Sequence, residues 1–246
     1  MQPIEFKTGV IRPIECFKEG WDLIKDQYWL FMGISVVGIL MAGFSMYILL
    51  GAMFCGIYYC LLRKSENQPV SFADLFKGFD NFLPSLIVAL LFIIPNVLIT
   101  FMNIGFQFAA PAIIKQNGGD SNILWTVLSI YMIIVLVLAI IMCCLHALVI
   151  FAFPLIVEYK LSAMEALKLS AGAVMKNLGG VVGLILCQFG LMFVGLLACY
   201  FGVFFTLPLM YAGIFAAYRK VFPPNQAAGF SEPPPPYSFQ DAGQPL

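Results

Sequence analysis

Charge is scarce in this chain. Thirteen Lys and Arg and thirteen Asp and Glu are spread over 246 residues, so charged side chains make up 11% of the sequence, well below the roughly one quarter usual in soluble domains. The formal net charge is zero. With no basic excess and no basic run, a nucleic-acid partner is excluded. Histidine is nearly absent, His146 being the only one. No second imidazole and no carboxylate within an apolar stretch stands ready to join it, so the sequence offers no catalytic constellation and reads as a protein that is not an enzyme. Residues 1 to 15 lack the basic start, short apolar run and small-residue cleavage site of a secretory leader, and the first span is expected to act as its own insertion signal. The seven cysteines, Cys16, Cys55, Cys60, Cys143, Cys144, Cys187 and Cys199, sit in or beside apolar runs. They lack the paired spacing of an extracellular disulfide framework and read as buried, reduced thiols.

What is there is apolar. Hydrophobic residues make up 61% of the chain and the mean hydropathy is +0.94, which places it among all-α polytopic membrane proteins. The organising stretch runs from Arg12 to Lys64. An amphipathic segment, IRPIECFKEGWDLIKDQY, leads into 34 uncharged residues, Trp29 to Leu62, that close on Arg63-Lys64. One helical span needs about 20 apolar residues, so this run is long for one crossing and slightly short for two. Basic residues at both ends, Lys25 and Arg63-Lys64, put both ends on one side. The chain is expected to double back near Gly43-Phe44-Ser45. Before it, Ile14, Phe17, Trp21, Ile24 and Tyr28 form one stripe at spacings of 3, 4, 3 and 4, the pattern of a helix lying at the membrane surface.

The unit recurs. Met164, Leu167, Ala171, Val174 and Leu178 each lie 150 positions after a member of the first stripe, Glu165-x-x-Lys168 repeats Glu15-x-x-Lys18, and GIFAAYRK (213–220) mirrors GIYYCLLRK (56–64). A weaker middle copy starts at Asp74-Leu-Phe-Lys77. Ser71 with Asp74 and Ser162 with Glu165 are capping-box pairs, so Asp74 and Glu165 read as helix-capping acids. The prediction is a membrane domain over residues 1–222 in three units, about 12–64, 71–160 and 162–220. Each is an interfacial amphipathic helix followed by a membrane hairpin, giving six transmembrane helices. The middle hairpin takes Phe82–Met102 and Ile123–Phe153, with a loop from Asn103 to Asn122 between them and Pro154 ending or bending the second. The third hairpin turns near Cys199-Tyr200.

Under this scheme twelve of the thirteen basic residues lie on one side and Lys115 alone on the other, so both termini are expected in the cytoplasm. Residues 223–246, rich in proline and small polar residues, are expected to be a disordered cytoplasmic tail. Within it, Pro234, Pro235 and Tyr237 fit the PPxY pattern that WW domains bind, although a plain solvated tail is the simpler reading.

Among polar residues in the spans, His146 is the one candidate cofactor ligand, for a haem or chlorin, or a proton relay. A neutral imidazole bonded to a neighbouring helix is the reading preferred here. Cys143 and Cys144 point about 100° apart on a helix and make no metal site. Asn96, Thr100, Asn103 and Gln107 share one helical face, either as a wet path or as interhelical contacts, and Gln188 and Thr206 are read in the same two ways. Gly179, Gly180, Gly183, Gly190 and Gly195 mark close helix approach. Glu158, next to Pro154 at a membrane edge, has no assigned role.

Three segments carry a resemblance: CFKEGWDLIKDQYWLF, GIYYCLLRK followed by VSFADLFKGFDNF, and FPLIVEYKLSAMEALKLS. Across residues 10–222 the chain resembles uncharacterised bacterial six-span inner-membrane proteins related to the membrane domain attached to some glycerophosphoryl diester phosphodiesterases. The resemblance implies six spans and the bacterial cytoplasmic membrane. The phosphodiesterase catalytic domain is absent from this sequence, and no catalytic residues carry over. The expected role is an accessory or scaffold subunit with no cofactor, in contact with membrane lipids and with other membrane subunits or further copies of itself. The alternative is a small transporter or lipid-handling permease, for which internal repeats and proline-broken spans are the motive.

Overall fold

Proline opens the first helix, where its missing N–H is no loss. In the computed structural model, which describes residues 4–116, 121–198 and 201–224, α1 runs Pro13–Ile24, α2 Tyr28–Phe44 and α3 Leu50–Ser65. The chain doubles back between α2 and α3 through Met46 and Tyr47, both at positive φ. A 3₁₀ helix, Phe72–Asn81, leads into α4, Phe82–Gln116. Then come α5, Ser121–Val149, α6, Ala152–Tyr159, α7, Ala163–Lys176, α8, Leu178–Leu197, and α9, Gly202–Val221. No strand occurs among the described residues.

Five stretches are long and apolar enough to cross a membrane: Pro13–Phe44, Phe72–Gln116, Asn122–Tyr159, Leu178–Leu197 and Gly202–Val221. The predicted sixth, α3, has 16 residues and falls short of that length. The turn predicted at Cys199-Tyr200 and the tail lie outside the described residues.

Small residues and part of the apolar stripe face the bundle together, with Ile24 of the stripe fully buried and Phe17 and Tyr28 packed against the core. In α1 the buried positions are Cys16, Gly20 and Ile24, while Ile14 and Trp21 of the predicted stripe are 68% and 44% exposed. A Cβ on Gly20 would lie 2.6 Å from the Ala212 carbonyl carbon of α9, so only glycine permits this approach. Lipid is as apolar as leucine, which leaves close packing to choose the inner face and lets bulky side chains point outward. In α7, Ala166, Ser170 and Val174, each 150 positions on, are buried as well.

The middle copy solves the same packing problem with a tighter helix. Leu75, Gly78 and Asn81 are buried at spacings of three, and Phe76, Phe79 and Phe82 stack ring on ring along the neighbouring row. A period of 3.0 aligns both rows, which the expected α-helix would have sheared apart.

The three leading helices close a cycle. The 3₁₀ helix packs on α3, the last helix of the preceding unit. Helix α7 packs on α5 and α6 of its own predecessor, and α1 packs on α9 at the far end of the sequence. The N-terminal strap completes the closure: the Asn177 side chain accepts from Gly9 N at 2.7 Å and donates to Lys7 O at 3.0 Å, and Lys7 N donates to Val221 O at 2.9 Å. The core lies around α3, where Met53, Ile57 and Leu61 are buried together with Phe151, Phe215 and Tyr218.

The predicted loop from Asn103 to Asn122 is helical instead over most of its length. Helix α4 continues to Gln116 through Pro111 because it stays docked on α5: Phe106 stacks on Tyr131 at 3.8 Å, and the Tyr131 hydroxyl donates to Asn103 Oδ1.

At Pro154 the chain breaks as expected, between α5 and α6. Proline cannot donate to the carbonyl four residues back and its ring crowds that carbonyl. Ser170 of α7 repairs the gap, its Oγ donating to Leu148 O at 2.7 Å and accepting from Phe151 N at 3.2 Å. Ser170→Ala leaves both groups without this partner in a buried setting and is expected to cost about 1–3 kcal/mol, read as equilibrium unfolding in mixed micelles.

Candidate functional site

Two places gather polar side chains: an ionic belt where α3 and α9 end, and a cavity inside the bundle. The belt is built from the repeated Arg-Lys pairs. Arg63 Nη1 lies 2.9 Å from Asp74 Oδ1 and Lys64 pairs with Asp26. Arg219 Nη1 lies 2.6 Å from Glu158 Oε1, and Lys220 Nζ is 2.8 Å from Glu19 and 3.6 Å from Glu15. Each pair therefore fastens its helix to other elements of the cycle. All four cations are half-buried, and the two arginines hold the most buried acids, Glu158 and Asp74, a place that suits a guanidinium because it presents several fixed donors at once.

Glu158 sits at the centre. Its other oxygen accepts from the Tyr218 hydroxyl, and Arg219 Nη2 reaches Ser65 Oγ at 3.3 Å and Glu66 Oε1 at 3.7 Å. Burial pushes the Glu66 carboxyl above the ordinary carboxylate range; Arg219 offsets this and the Glu158 charge adds to it.

The two capping acids differ in setting. Asp74 Oδ2 accepts from Ser71 N at 2.7 Å and from Ser71 Oγ at 3.0 Å, while its other oxygen holds Arg63. Glu165 Oε2 accepts from Ser162 Oγ at 2.7 Å and from Ser162 N at 3.1 Å, and Glu165 N donates back to Ser162 Oγ at 3.4 Å. The Ser162 hydroxyl, then its backbone N–H, hold the Glu165 carboxyl below the ordinary range. A carboxyl with a lowered folded pKa adds stability above its unfolded value and loses it as pH falls through the folded one. Glu165→Gln is therefore expected to lower stability at neutral and alkaline pH while leaving the acid end unchanged, so that the acid side of the curve flattens, as checked by unfolding midpoints at stepped pH.

The cavity has a volume of about 320 Å³ and opens on one side. Tyr58 from α3, Phe92 from α4, His146 from α5, Gln188 from α8 and Tyr211 from α9 meet on its wall. Gln188 of α8 and His146 of α5 share the wall. Phe92 meets His146 edge to face at 6.3 Å, as Tyr58 meets Tyr211. A shallower groove of about 490 Å³ lies outside, between α1, α8 and α9, along Ile14, Phe17, Trp21 and Leu191, with Lys18 and Asp22 on its edge.

The polar face of α4 does not join the cavity. Asn96 Nδ2 donates to Phe92 O and Thr100 Oγ1 to Asn96 O, both at 2.8 Å, and both residues are exposed, as is Gln107. Asn103 alone of the four crosses to another helix, at Tyr131. Thr206 Oγ1 donates to its own helix at Val203 O, 2.9 Å away. Among the predicted glycines, Gly180 and Gly183 seat Ile11 and Pro13 of the N-terminal strap and Gly195 meets Val203, but Gly179 and Gly190 have nothing within 4 Å. Cys16, Cys55 and Cys60 are buried free thiols. Cys144 is exposed and Cys143 and Cys187 half-buried, because α5 and α8 turn much of their surface outward. Pro234, Pro235 and Tyr237 lie outside the described residues.

Among the described residues no group of three or more His, Cys, Asp or Glu side chains is placed to hold a metal ion. No family model, curated protein or solved structure matches this chain. What its geometry can do is therefore read from the residues alone: hold a closed helical base together by buried charge, and receive an uncharged guest among aromatic rings.

Sequence reasoning passed over Tyr58, Tyr211 and Tyr218, which looked like ordinary apolar filling. It also passed over Asn177, although a signal was present: Gln27, Asn81 and Asn177 each stand immediately before a long helix, α2, α4 and α8. Three carboxamides at one place in three units mark a shared junction.

Proposed function

We propose that this chain is an integral membrane protein of six spans, in three hairpins each led by an interfacial helix, and that it serves as a non-enzymatic scaffold or accessory subunit of a bacterial inner-membrane complex with both termini in the cytoplasm. In this reading α3, short but buried among its neighbours, is the sixth span. The resemblance of residues 10–222 to the phosphodiesterase-linked membrane domain supports the same architecture.

One observation carries the scaffold role. The apolar windows of the α4 and α5 segments are only 17% and 11% buried, against 50% for α9, and α4 has 35 residues. At 1.5 Å per residue such a helix is about 52 Å long, well beyond the roughly 30 Å hydrocarbon core. The far end of the α4–α5 arm thus carries bare apolar surface, including Phe108 and Trp125, past the hydrocarbon core, where a partner subunit would cover it. A pull-down of the tagged protein in mild detergent at native expression is expected to bring a stoichiometric membrane partner, lost when Phe108→Ser and Trp125→Ser are combined. A chain that purifies alone with or without those changes overturns the scaffold reading.

A second reading, a small permease, is favoured by the half-enclosed cavity. It predicts uptake by liposomes holding the chain alone.

A further inference from the structure

We propose that the internal cavity is a binding site for an uncharged, membrane-soluble molecule with a flat ring head bearing oxygen acceptors, of the lipid-soluble quinone type. The site does not depend on whether the chain acts as scaffold or permease.

The lining sets the ligand class by what it holds and what it omits. No Asp, Glu, Lys or Arg lines the cavity. A carboxylate, phosphate or ammonium buried there would have no counter-charge and would pay the full desolvation cost. The polar groups present are His146, Gln188 and the phenols of Tyr58 and Tyr211, all able to donate to a carbonyl or hydroxyl oxygen. Three tyrosines elsewhere direct their hydroxyls to the protein itself, Tyr28 to Phe205 O, Tyr131 to Asn103 and Tyr218 to Glu158. Those of the cavity stand on its wall instead.

Shape points the same way. Phe54, Tyr58 and Tyr211 form one aromatic corner, with ring centroids 5.8 and 6.3 Å apart. Phe92 stands on the wall beside His146. Rings at such spacings present faces and edges to a planar guest. A volume of about 320 Å³ falls at the small end of ligand cavities. It suits a substituted six-membered ring, with any tail leaving by the open side. Tyr211 lies eight residues before Arg219, about 12 Å along the helix, so the head would rest within the apolar layer and not at its charged edge.

The test uses the full chain in nanodiscs. Decyl-benzoquinone is titrated against it, with laurate as the charged single-tail competitor, and binding is read by isothermal calorimetry. Saturable one-to-one quinone binding is expected, with laurate showing none. Gln188→Leu and Tyr211→Phe are each expected to weaken it at least tenfold, while Asn96→Leu, on the outer face of α4, leaves it unchanged. Tyr211→Phe keeps the ring and the packing, so it reports on the hydroxyl even if Gln188→Leu folds poorly. Absence of saturable quinone binding, laurate bound as tightly, or equal affinity in Tyr211→Phe overturns the proposal. None of these results touches the pull-down, so the site and the scaffold role stand or fall separately.

Discussion

Glu158→Ala is expected to be among the most destabilising single changes in this protein, at about 3–5 kcal/mol, the range for removing one partner of a buried ion pair. The Glu158 and Arg219 side chains are 7% and 14% exposed, so solvent screens the pair little. Without the carboxylate the guanidinium would keep Ser65 Oγ at 3.3 Å, the more distant Glu66 at 3.7 Å and the face of the Phe215 ring at 5.4 Å, and the Tyr218 hydroxyl would lose its acceptor. The penalty arises from the charge left behind, not from an unusual worth of the pair itself. The double change Glu158→Leu with Arg219→Met, which removes both charges and restores apolar volume, is therefore expected to recover most of the loss. Equilibrium unfolding of all three variants in mixed micelles checks both parts. A loss below about 1 kcal/mol for Glu158→Ala would match an exposed surface pair and would remove the ionic belt as the fastening of the cycle.

The role of Glu158 shows where sequence reading stopped. Its neighbours in the sequence, Pro154 and Lys160, suggest a membrane edge but no partner, because its partners come from residues 60 and 61 positions away. The helical class, the three leading segments, the capping boxes and the break at Pro154 were all legible, since each rests on spacing within about a dozen residues. The sequence match at an offset of 150 has a counterpart in burial at three positions: Cys16, Gly20 and Ile24 are buried, and so are Ala166, Ser170 and Val174. Which positions of the stripe meet the bundle was not legible: Ile24 is buried beside Cys16 and Gly20 while Ile14 and Trp21 stay exposed, because close backbone approach to α9 decides the contact. The cavity was half visible. His146 and Gln188 were both singled out, but nothing local to either joins α5 to α8, and the tyrosines facing them read as bulk. The polar face of α4, by contrast, was a regular pattern with a local explanation, each side chain returning to a carbonyl four residues back.

The seam between α3 and the 3₁₀ helix carries the second large effect. Gly56 and Gly78 face each other there: a Cβ on Gly56 would collide with the Leu75 carbonyl oxygen, and one on Gly78 with the Ala52 carbonyl oxygen. Backbone cannot rotate aside as a side chain can, so the two segments must separate to admit even a methyl group. Gly56→Ala is therefore expected to reach or pass the upper end of the usual overpacking range, about 3 kcal/mol, against the roughly 1 kcal/mol that alanine would gain in a free helix. Gly105→Ala supplies the control, because that position in α4 has nothing within 4 Å and is expected to gain stability by up to that same 1 kcal/mol. The separation has a structural signature as well. Parting the seam would draw Asp74 away from Arg63, now 2.9 Å apart across it, so Gly56→Ala and Asp74→Asn should be strongly non-additive in unfolding free energy. Additive losses would mean that glycine and ion pair act independently, and that the seam does not part as one unit.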